Sequence, residues 1–289
     1  MSAARAASIH DRLLNHARST GQDFNVVLAR YALERFVYRL SLTPARETLV
    51  LKGGLLFALW FNAPHRPTRD ADFLGFGPPD VEPLMKTMRH ACGVELDDGM
   101  RFDSTTVSVA PIREEARYGG LRVALLGRLG NARCPLQIDV GFGDAVTPGP
   151  EEAVYPSLLA DQPAARLRVY PRATVVAEKF ESIVTLGMTN SRLKDYYDLH
   201  ALAREAAVEP GQLAEAIAAT FTRRRTPLPA GIPLGLSDEF ATGPQARARW
   251  AGFLNRNRIA GPPLPDAVSE IRAFLDAPLR LALSLDATR

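Results

Sequence analysis

The sequence contains little lysine, little cysteine and no long apolar run. Only four of its 35 basic residues are lysine, and the other 31 are arginine. Lysine offers a compact, rotatable ammonium that the planar guanidinium cannot copy, so each lysine in so arginine-rich a chain is a candidate for a specific role. The four are Lys52, Lys86, Lys179 and Lys194.

The other absences concern compartment and cofactor. Cys92 and Cys134 lack the close spacing of a zinc site and are too few for a disulfide framework. The longest uncharged apolar-rich stretch, 53–64, is shorter than the roughly 18 residues of a membrane span. The first 14 residues carry charges and no apolar core of a secretory signal. We therefore expect a cytoplasmic protein with no membrane association.

Length and pattern predict two domains. The chain has 289 residues, enough for about two domains, and 46% of its residues are hydrophobic, as in ordinary globular proteins. Apolar alternation and helical spacing predict an α+β domain over 1–170 and a mainly helical domain over 171–289. Helices are expected at 9–19, 24–40, 55–61, 80–92, 172–187, 191–206, 210–222, 244–255 and 265–276. Strands are expected at 47–51, 70–76, 103–112, 120–128 and 135–142, with a linker at 146–164.

One predicted strand carries two carboxylates. Asp70 and Asp72 share a face of the strand, because side chains alternate with a period of two. Two carboxylates on one face repel each other unless a cation lies between them, and such hard oxygen ligands suit Mg²⁺ beside substrate phosphates. Fifteen residues, 55–69, separate the glycine pair Gly53-Gly54 from Asp70. Glycine lets the backbone approach a polyphosphate closely.

A third carboxylate extends this pattern. The apolar residues 136, 138, 140 and 142 share one face of a predicted strand, and Asp139 lies on the other. A strand with one aspartate beside a strand with two makes a three-carboxylate site for two metal ions, which activate an attacking oxygen and stabilise leaving pyrophosphate. The alternative is that Asp70 and Asp72 lie in a solvated turn after Pro67.

The pattern resembles the DNA polymerase β-type nucleotidyltransferases and, more closely, the AbiEii/AbiGii toxin family. The resemblance covers about residues 9–205 and rests on four segments. They are Lys52-Gly53-Gly54, Arg66-Pro67-Thr68-Arg69-Asp70-Ala71-Asp72, Glu178-Lys179-Phe180 and Arg192-Leu193-Lys194-Asp195-Tyr196-Tyr197-Asp198-Leu199.

The resemblance implies a fold and an activity. The fold is a small mixed sheet flanked by helices, followed by a helical domain that completes the active site. The activity is Mg²⁺-dependent transfer of a nucleoside monophosphate from an NTP to an acceptor, with release of pyrophosphate. The family is that of the toxin half of toxin–antitoxin or phage abortive-infection pairs. The implied acceptor is the 3′ end of tRNA, and the implied partner is an antitoxin encoded alongside.

The resemblance also implies roles for individual residues. The glycine turn and Thr68 hold the triphosphate, Asp70 and Asp72 bind Mg²⁺, and Lys179 contacts the nucleotide phosphates. Either Asp195 or Asp198 completes the active site. Polymerase β relatives often have Gly-Ser where this chain has Gly-Gly, so phosphate contact must rest on backbone N–H groups or on Thr68. The further nucleotide-binding candidates are Lys52, Arg66, Arg192 and Lys194.

Several of these residues have plainer interpretations. Arg192, Asp195 and Asp198 fall at helical spacing, and Lys194 could pair with Asp198, so they could form a surface ladder of ion pairs. Lys179 could be an ordinary surface lysine, and Arg66 could lie in a plain loop. Lys52 could neutralise phosphate or pair with a carboxylate.

The function has alternatives as well. The acceptor could be a protein, modified by adenylylation or uridylylation, or the fold could be a non-catalytic NTP-binding module. The carboxy-terminal part is basic with interleaved aromatic residues, a composition that suits RNA contact or an ordinary solvated arginine surface. The residues concerned are Arg223, Arg224, Arg225, Arg247, Arg249, Trp250, Phe253, Arg256 and Arg258.

Overall fold

The computed structural model describes residues 3–61, 65–112, 119–205 and 208–287. The chain forms two compact units. The first comprises Met1–Gly143 with Glu151–Val169, and the second comprises Asp144–Pro150 with Tyr170–Arg289. The short segment before Glu151 thus belongs to the second unit, although the strand that follows it belongs to the first.

The first unit is built on a mixed sheet. The strands of the described residues are β1 Leu49–Lys52, β2 Asp70–Gly75, β3 Met100–Pro111, β4 Gly120–Leu129, β5 Ala132–Phe142, β6 Glu151–Tyr155 and β7 Ala165–Val169. They lie in the order β3-β4-β5-β2-β1-β7-β6. β2 pairs in parallel with β5 and β1 in parallel with β7, and the other neighbours are antiparallel.

Helices cover this sheet. Asp23 begins the long helix α2 by accepting a hydrogen bond from the backbone N–H of Asn25, which satisfies one of the free donors at the helix start. Further along α2, the buried guanidinium of Arg39 makes two hydrogen bonds to Asp98, at 2.6 and 3.0 Å. The helices of this unit are α1 Ala3–Thr20, α2 Phe24–Ser41, α3 Ala45–Thr48, α4 Phe57–Trp60 and α5 Val81–Cys92. A 3₁₀ turn, Gly53–Leu56, precedes α4.

The regular elements described in the second unit are all helical. α6 begins after Pro171 and ends at Gly187, whose φ of +50° breaks the helix. In the core of this unit, Phe180 packs against Phe221 with 5.4 Å between the ring centroids. The helices are α6 Arg172–Leu186, α7 Leu193–Glu205, α8 Pro210–Arg224, α9 Asp238–Thr242, α10 Pro244–Asn257 and α11 Leu264–Ala287.

The α+β class, a mixed sheet flanked by helices with a helical carboxy-terminal region, is confirmed. The linker predicted at 146–164 was wrong in part, because β6 lies inside it. β6 is mostly exposed, so it lacks the apolar pattern of a strand and forms through backbone pairing with β7. The helix predicted at 265–276 continues to Ala287 through Pro278, where the sequence pattern predicted a stop. The last residue of the predicted helix 191–206 lies outside the described residues.

Both cysteines are free and buried. Burial raises the pKa of each thiol to about 11, so neither forms appreciable thiolate at neutral pH. None of the described helices has the length and apolarity to cross a bilayer.

Candidate active site

Three carboxylates converge at the centre of the sheet. Asp70 and Asp72 lie on β2, and the parallel register places Asp72 directly beside Asp139 of β5. One oxygen of each carboxylate lies within 4.8 Å of the others, and all three residues are half-buried. The two strands therefore bring together the three residues that the sequence predicted. The solvated-turn interpretation of Asp70 and Asp72 is wrong, because both lie within β2.

Two of the carboxylates, Asp72 and Asp139, belong to a row of four charged residues that crosses four strands. Antiparallel pairing places Lys52 of β1 opposite Asp72, and Arg122 of β4 opposite Asp139. The Arg122 guanidinium donates two hydrogen bonds to Asp139, from Nε to Oδ1 at 2.9 Å and from Nη2 to Oδ2 at 2.7 Å. Two anions thus lie side by side with one cation on each flank, and we call this set the charge row.

The glycine turn is shaped by the carboxylate site. Gly53 has a φ of +73°, and a Cβ atom placed there would lie 2.0 Å from Oδ2 of Asp72. A Cβ on Gly54 would lie 2.7 Å from Oγ1 of Thr68, which also accepts a hydrogen bond from Nη1 of Arg66 at 3.4 Å. Because neither glycine has a side chain, the side chains of Asp72 and Thr68 can occupy this space. The sequence alone did not indicate this reason for the Gly-Gly pair.

The second unit contains a buried ionic cluster around Lys179. The ammonium lies 2.9 Å from Oδ1 of Asp195 and 2.7 Å from Oδ2 of Asp198. Asp195 and Asp198 are 1% and 0% exposed, and Lys179 is 9% exposed. The surface-ladder interpretation of the two aspartates is therefore wrong, as is the interpretation of Lys179 as a surface lysine. α6 and α7 form the cluster by facing each other.

The neighbouring cations favour the ionised form of Asp195 in this cluster. Burial alone would raise the pKa of Asp195, but Lys179 and Arg192 together outweigh burial and hold that pKa below its usual range. Arg192 donates from Nε to Oδ2 of Asp195 at 2.9 Å and is half exposed. Lys194, on the same helix, is exposed.

A second ionic cluster was missed by the sequence interpretation. Arg224 of α8 lies against three carboxylates, those of Glu181 at 2.8 Å, Glu178 at 3.1 Å and Asp144 at 3.4 Å. Burial alone would lower the pKa of Arg224, but these carboxylates raise it above its usual range. Arg224 is therefore part of this ionic cluster. The sequence interpretation that grouped it with exposed arginines able to contact RNA was wrong for this residue.

Arg122 was missed too, although a signal for it exists. Gly130-Asn131 is a two-residue hairpin loop between β4 and β5. Arg122 and Asp139 lie equally far from that loop on the two strands, so counting outward from the loop pairs them. A sequence prediction that recognised this hairpin would therefore have identified Arg122 as the cross-strand partner of Asp139.

The fold and the sequence define an enzyme class. The family model for the nucleotidyl transferase AbiEii toxin, of type IV toxin–antitoxin systems, matches residues 35–277. The protein is a nucleotidyltransferase. It belongs to the AbiEii toxin family, and this family implies an NTP substrate and a cognate antitoxin. No protein of curated function matches the sequence.

Solved structures share the fold over nearly the whole chain. MenT4, the nucleotidyltransferase toxin Rv2826c from Mycobacterium tuberculosis H37Rv, is 19% identical with a TM-score of 0.60, covering 94% of this chain and 92% of its own. JHP933 from Helicobacter pylori is 15% identical with a TM-score of 0.51, covering 91% of this chain and 95% of its own. At these identities, the likeness supports the fold.

Proposed function

We propose that this toxin transfers a nucleoside monophosphate from an NTP to the 3′ end of an RNA, with tRNA as the acceptor and Mg²⁺ as the required cation. The observation that carries the proposal is the convergence of Asp70, Asp72 and Asp139 within 4.8 Å in a chain of the AbiEii family. We infer that the protein acts in the cytoplasm, which supplies the NTP, the RNA and the cognate antitoxin.

The donor set fits Mg²⁺. Three half-buried carboxylates offer hard oxygen ligands and leave room for substrate phosphates. When bound there, divalent cations neutralise charge on the phosphates and activate the acceptor hydroxyl. Asp70, Asp72 and Asp139 would hold the cations, with Asp139 as the ligand that also takes part in deprotonating the acceptor.

The chain's own residues orient the reaction. The backbone N–H groups of Gly53 and Gly54, with Thr68, Arg66 and Lys52, bind the triphosphate. The acceptor oxygen forms a bond to the α-phosphorus, and the bond from that phosphorus to the bridging oxygen breaks. Pyrophosphate leaves with the electron pair, and Asp139 takes up the acceptor's proton.

The proposal also gives roles to residues of α6 and α7. Lys179 offsets the negative charge that builds on the phosphates in the transition state. Asp195 and Asp198 hold its ammonium in one position through the two short ion pairs. Arg192 and Lys194, half exposed and exposed on the same helix, contact the nucleotide.

The test is an incorporation assay. Purified protein is incubated with Mg²⁺, total tRNA and each of the four NTPs labelled at the α-phosphate. We expect label in RNA with the wild type, and a loss of about a hundredfold or more with Asp70→Ala. Lys179→Arg keeps the charge, but we expect it to lose most activity because the larger guanidinium cannot fit between two buried carboxylates.

Lys86→Arg is the matched control, since Lys86 is an exposed lysine of α5 outside the proposed site. It should be fully active, and circular dichroism should show that all variants are folded. Full activity of Asp70→Ala would overturn the proposal. Label in protein from a cell lysate, with none in RNA, would identify a protein acceptor, and NTP binding without turnover would identify a non-catalytic module.

A further inference from the structure

The bidentate pair between Arg122 and Asp139 raises a question about the proposed metal centre. Asp139 is the third carboxylate of that centre, yet both of its oxygens already accept hydrogen bonds from Arg122. Gln137 adds a third donor, Nε2, at 3.4 Å from Oδ2. A divalent cation that approaches Asp139 therefore meets a guanidinium of the same sign at the same oxygens.

The pairing is built into the fold. Arg122 and Asp139 are cross-strand partners in the antiparallel β4–β5 hairpin, and such partners face each other at close range. The Asp139 side chain is 16% exposed, whereas that of Arg122 is 44% exposed. The carboxylate is fixed in place, and the long arginine side chain has solvent on one side into which it can withdraw.

We propose that Arg122 is an internal counter-ion of the metal centre, which Mg²⁺ displaces from Asp139 when it binds. This inference rests on the proposed function, because it requires the three carboxylates to be a metal site. Without the cation, Arg122 offsets the mutual repulsion of three carboxylates within 4.8 Å. With the cation bound, that repulsion is already neutralised, and the guanidinium is repelled.

The proposal makes Arg122 a positioning residue that opposes metal binding. Its charge stabilises the metal-free state and destabilises the metal-bound state, so Arg122 and Mg²⁺ weaken each other's binding reciprocally. Removing the charge should therefore tighten metal binding. If Arg122 only oriented the Asp139 carboxylate, its removal would instead weaken metal binding, because a poorly oriented ligand binds metal less well.

The test is titration of Mg²⁺, and separately Mn²⁺, into the full-length protein by calorimetry, with and without a non-hydrolysable NTP analogue. For Arg122→Gln we expect the metal dissociation constant to fall about three- to tenfold. Arg122→Lys keeps the charge and should stay within about twofold of the wild type. Arg128→Gln is the matched control, because Arg128 is an exposed arginine on the same face of β4, six residues further on.

Thermal unfolding gives a second readout that requires no activity. Arg122→Gln should unfold at a lower temperature than the wild type without metal, and the difference should shrink as Mg²⁺ is added. Unchanged or weaker metal binding by Arg122→Gln would overturn the inference. If the wild type binds metal no better than Asp70→Asn does, the metal centre itself is wrong, and the proposed function fails with it.

Discussion

At the scale of single residues, Gly53 links backbone shape to chemistry. Its φ of +73° disfavours any other residue, and its missing side chain leaves the space that the Asp72 carboxylate fills. We predict that Gly53→Ala lowers stability by about 1 kcal/mol and lowers activity by about a hundredfold, because the new Cβ displaces Asp72, a proposed metal ligand. Denaturant unfolding and the tRNA incorporation assay measure the two effects.

Gly21→Ala is the control for backbone strain. Gly21 has nearly the same φ, +67°, but a Cβ there would meet no atom within 4 Å. Gly21→Ala should show a similar loss of stability and wild-type activity. Equal activity of the two variants would show that Asp72 does not depend on the space at Gly53.

For the candidate site, the sequence predicted which carboxylates converge better than it predicted the ion pairs around them. Asp70, Asp72 and Asp139 could be found because alternation along a strand assigns each aspartate to a face. The ion pairs of Lys179 and Arg224 could not be found this way, because they join residues on different helices. The spacing of Asp195 and Asp198 is typical of a solvated helix face, and only the structure shows that both are buried.

At the scale of elements, Arg224 ties α8 to α6 and to the segment 144–150. We predict that Arg224→Ala lowers the free energy of unfolding by about 3 kcal/mol at pH 7, because Glu178, Glu181 and Asp144 lose their shared cation. Arg223→Ala, an exposed neighbour, should change it by less than about 0.5 kcal/mol. Urea unfolding of both variants measures the difference.

The loss of unfolding free energy in Arg224→Ala should depend on pH. Burial would raise the pKa of Glu181, but hydrogen bonds from Thr226, Arg224 and Thr185 hold it below its usual range. A lowered pKa gives stability that is present above the unfolded pKa of about 4.3 and is lost as the pH falls through the folded pKa. Without Arg224 this stability is reduced at pH 7, so the variant's deficit should shrink as the pH falls below about 4.3 and through the folded pKa. A deficit that stays constant would rule out this electrostatic cause.

The elements that sequence reasoning found and missed differ in what stabilises them. β2 and β5 are buried and carry a clear apolar pattern, so their existence and faces were predicted. β6 is an exposed strand whose stability comes from hydrogen bonds to β7, and no local pattern records that pairing. The end of α11 was missed as well, because the helix continues through Pro278 although proline has a low helix propensity.

At the scale of the whole molecule, the proposed metal centre lies within one unit. Asp70, Asp72 and Asp139 all belong to the first unit. We predict that Mg²⁺ alone, without nucleotide, slows amide hydrogen exchange in β2 and β5 and leaves α8 and α11 unchanged, because binding stabilises the elements that carry the ligands. Hydrogen-exchange mass spectrometry of the wild type measures this, with Asp139→Asn as the variant that should lose the effect. Equal protection of the helices of the second unit would contradict it.

The division into two units was harder to predict than the fold class. A change from strand to helix patterns near residue 170 is visible in the sequence, and the second unit's main segment begins at Tyr170. The assignment of 144–150 to the helical unit is not visible, because it depends on contacts such as those of Thr174 with Thr147.

The charge row also constrains how this chain can evolve. It is assembled by register alone, with each charged residue placed by counting along a paired strand. A single-residue insertion or deletion between Arg122 and Asp139, other than in the hairpin loop, would turn one of these two residues to the opposite face. Length variation among descendants of this sequence is therefore confined to the connections, and the four strands of the row can change only by substitution.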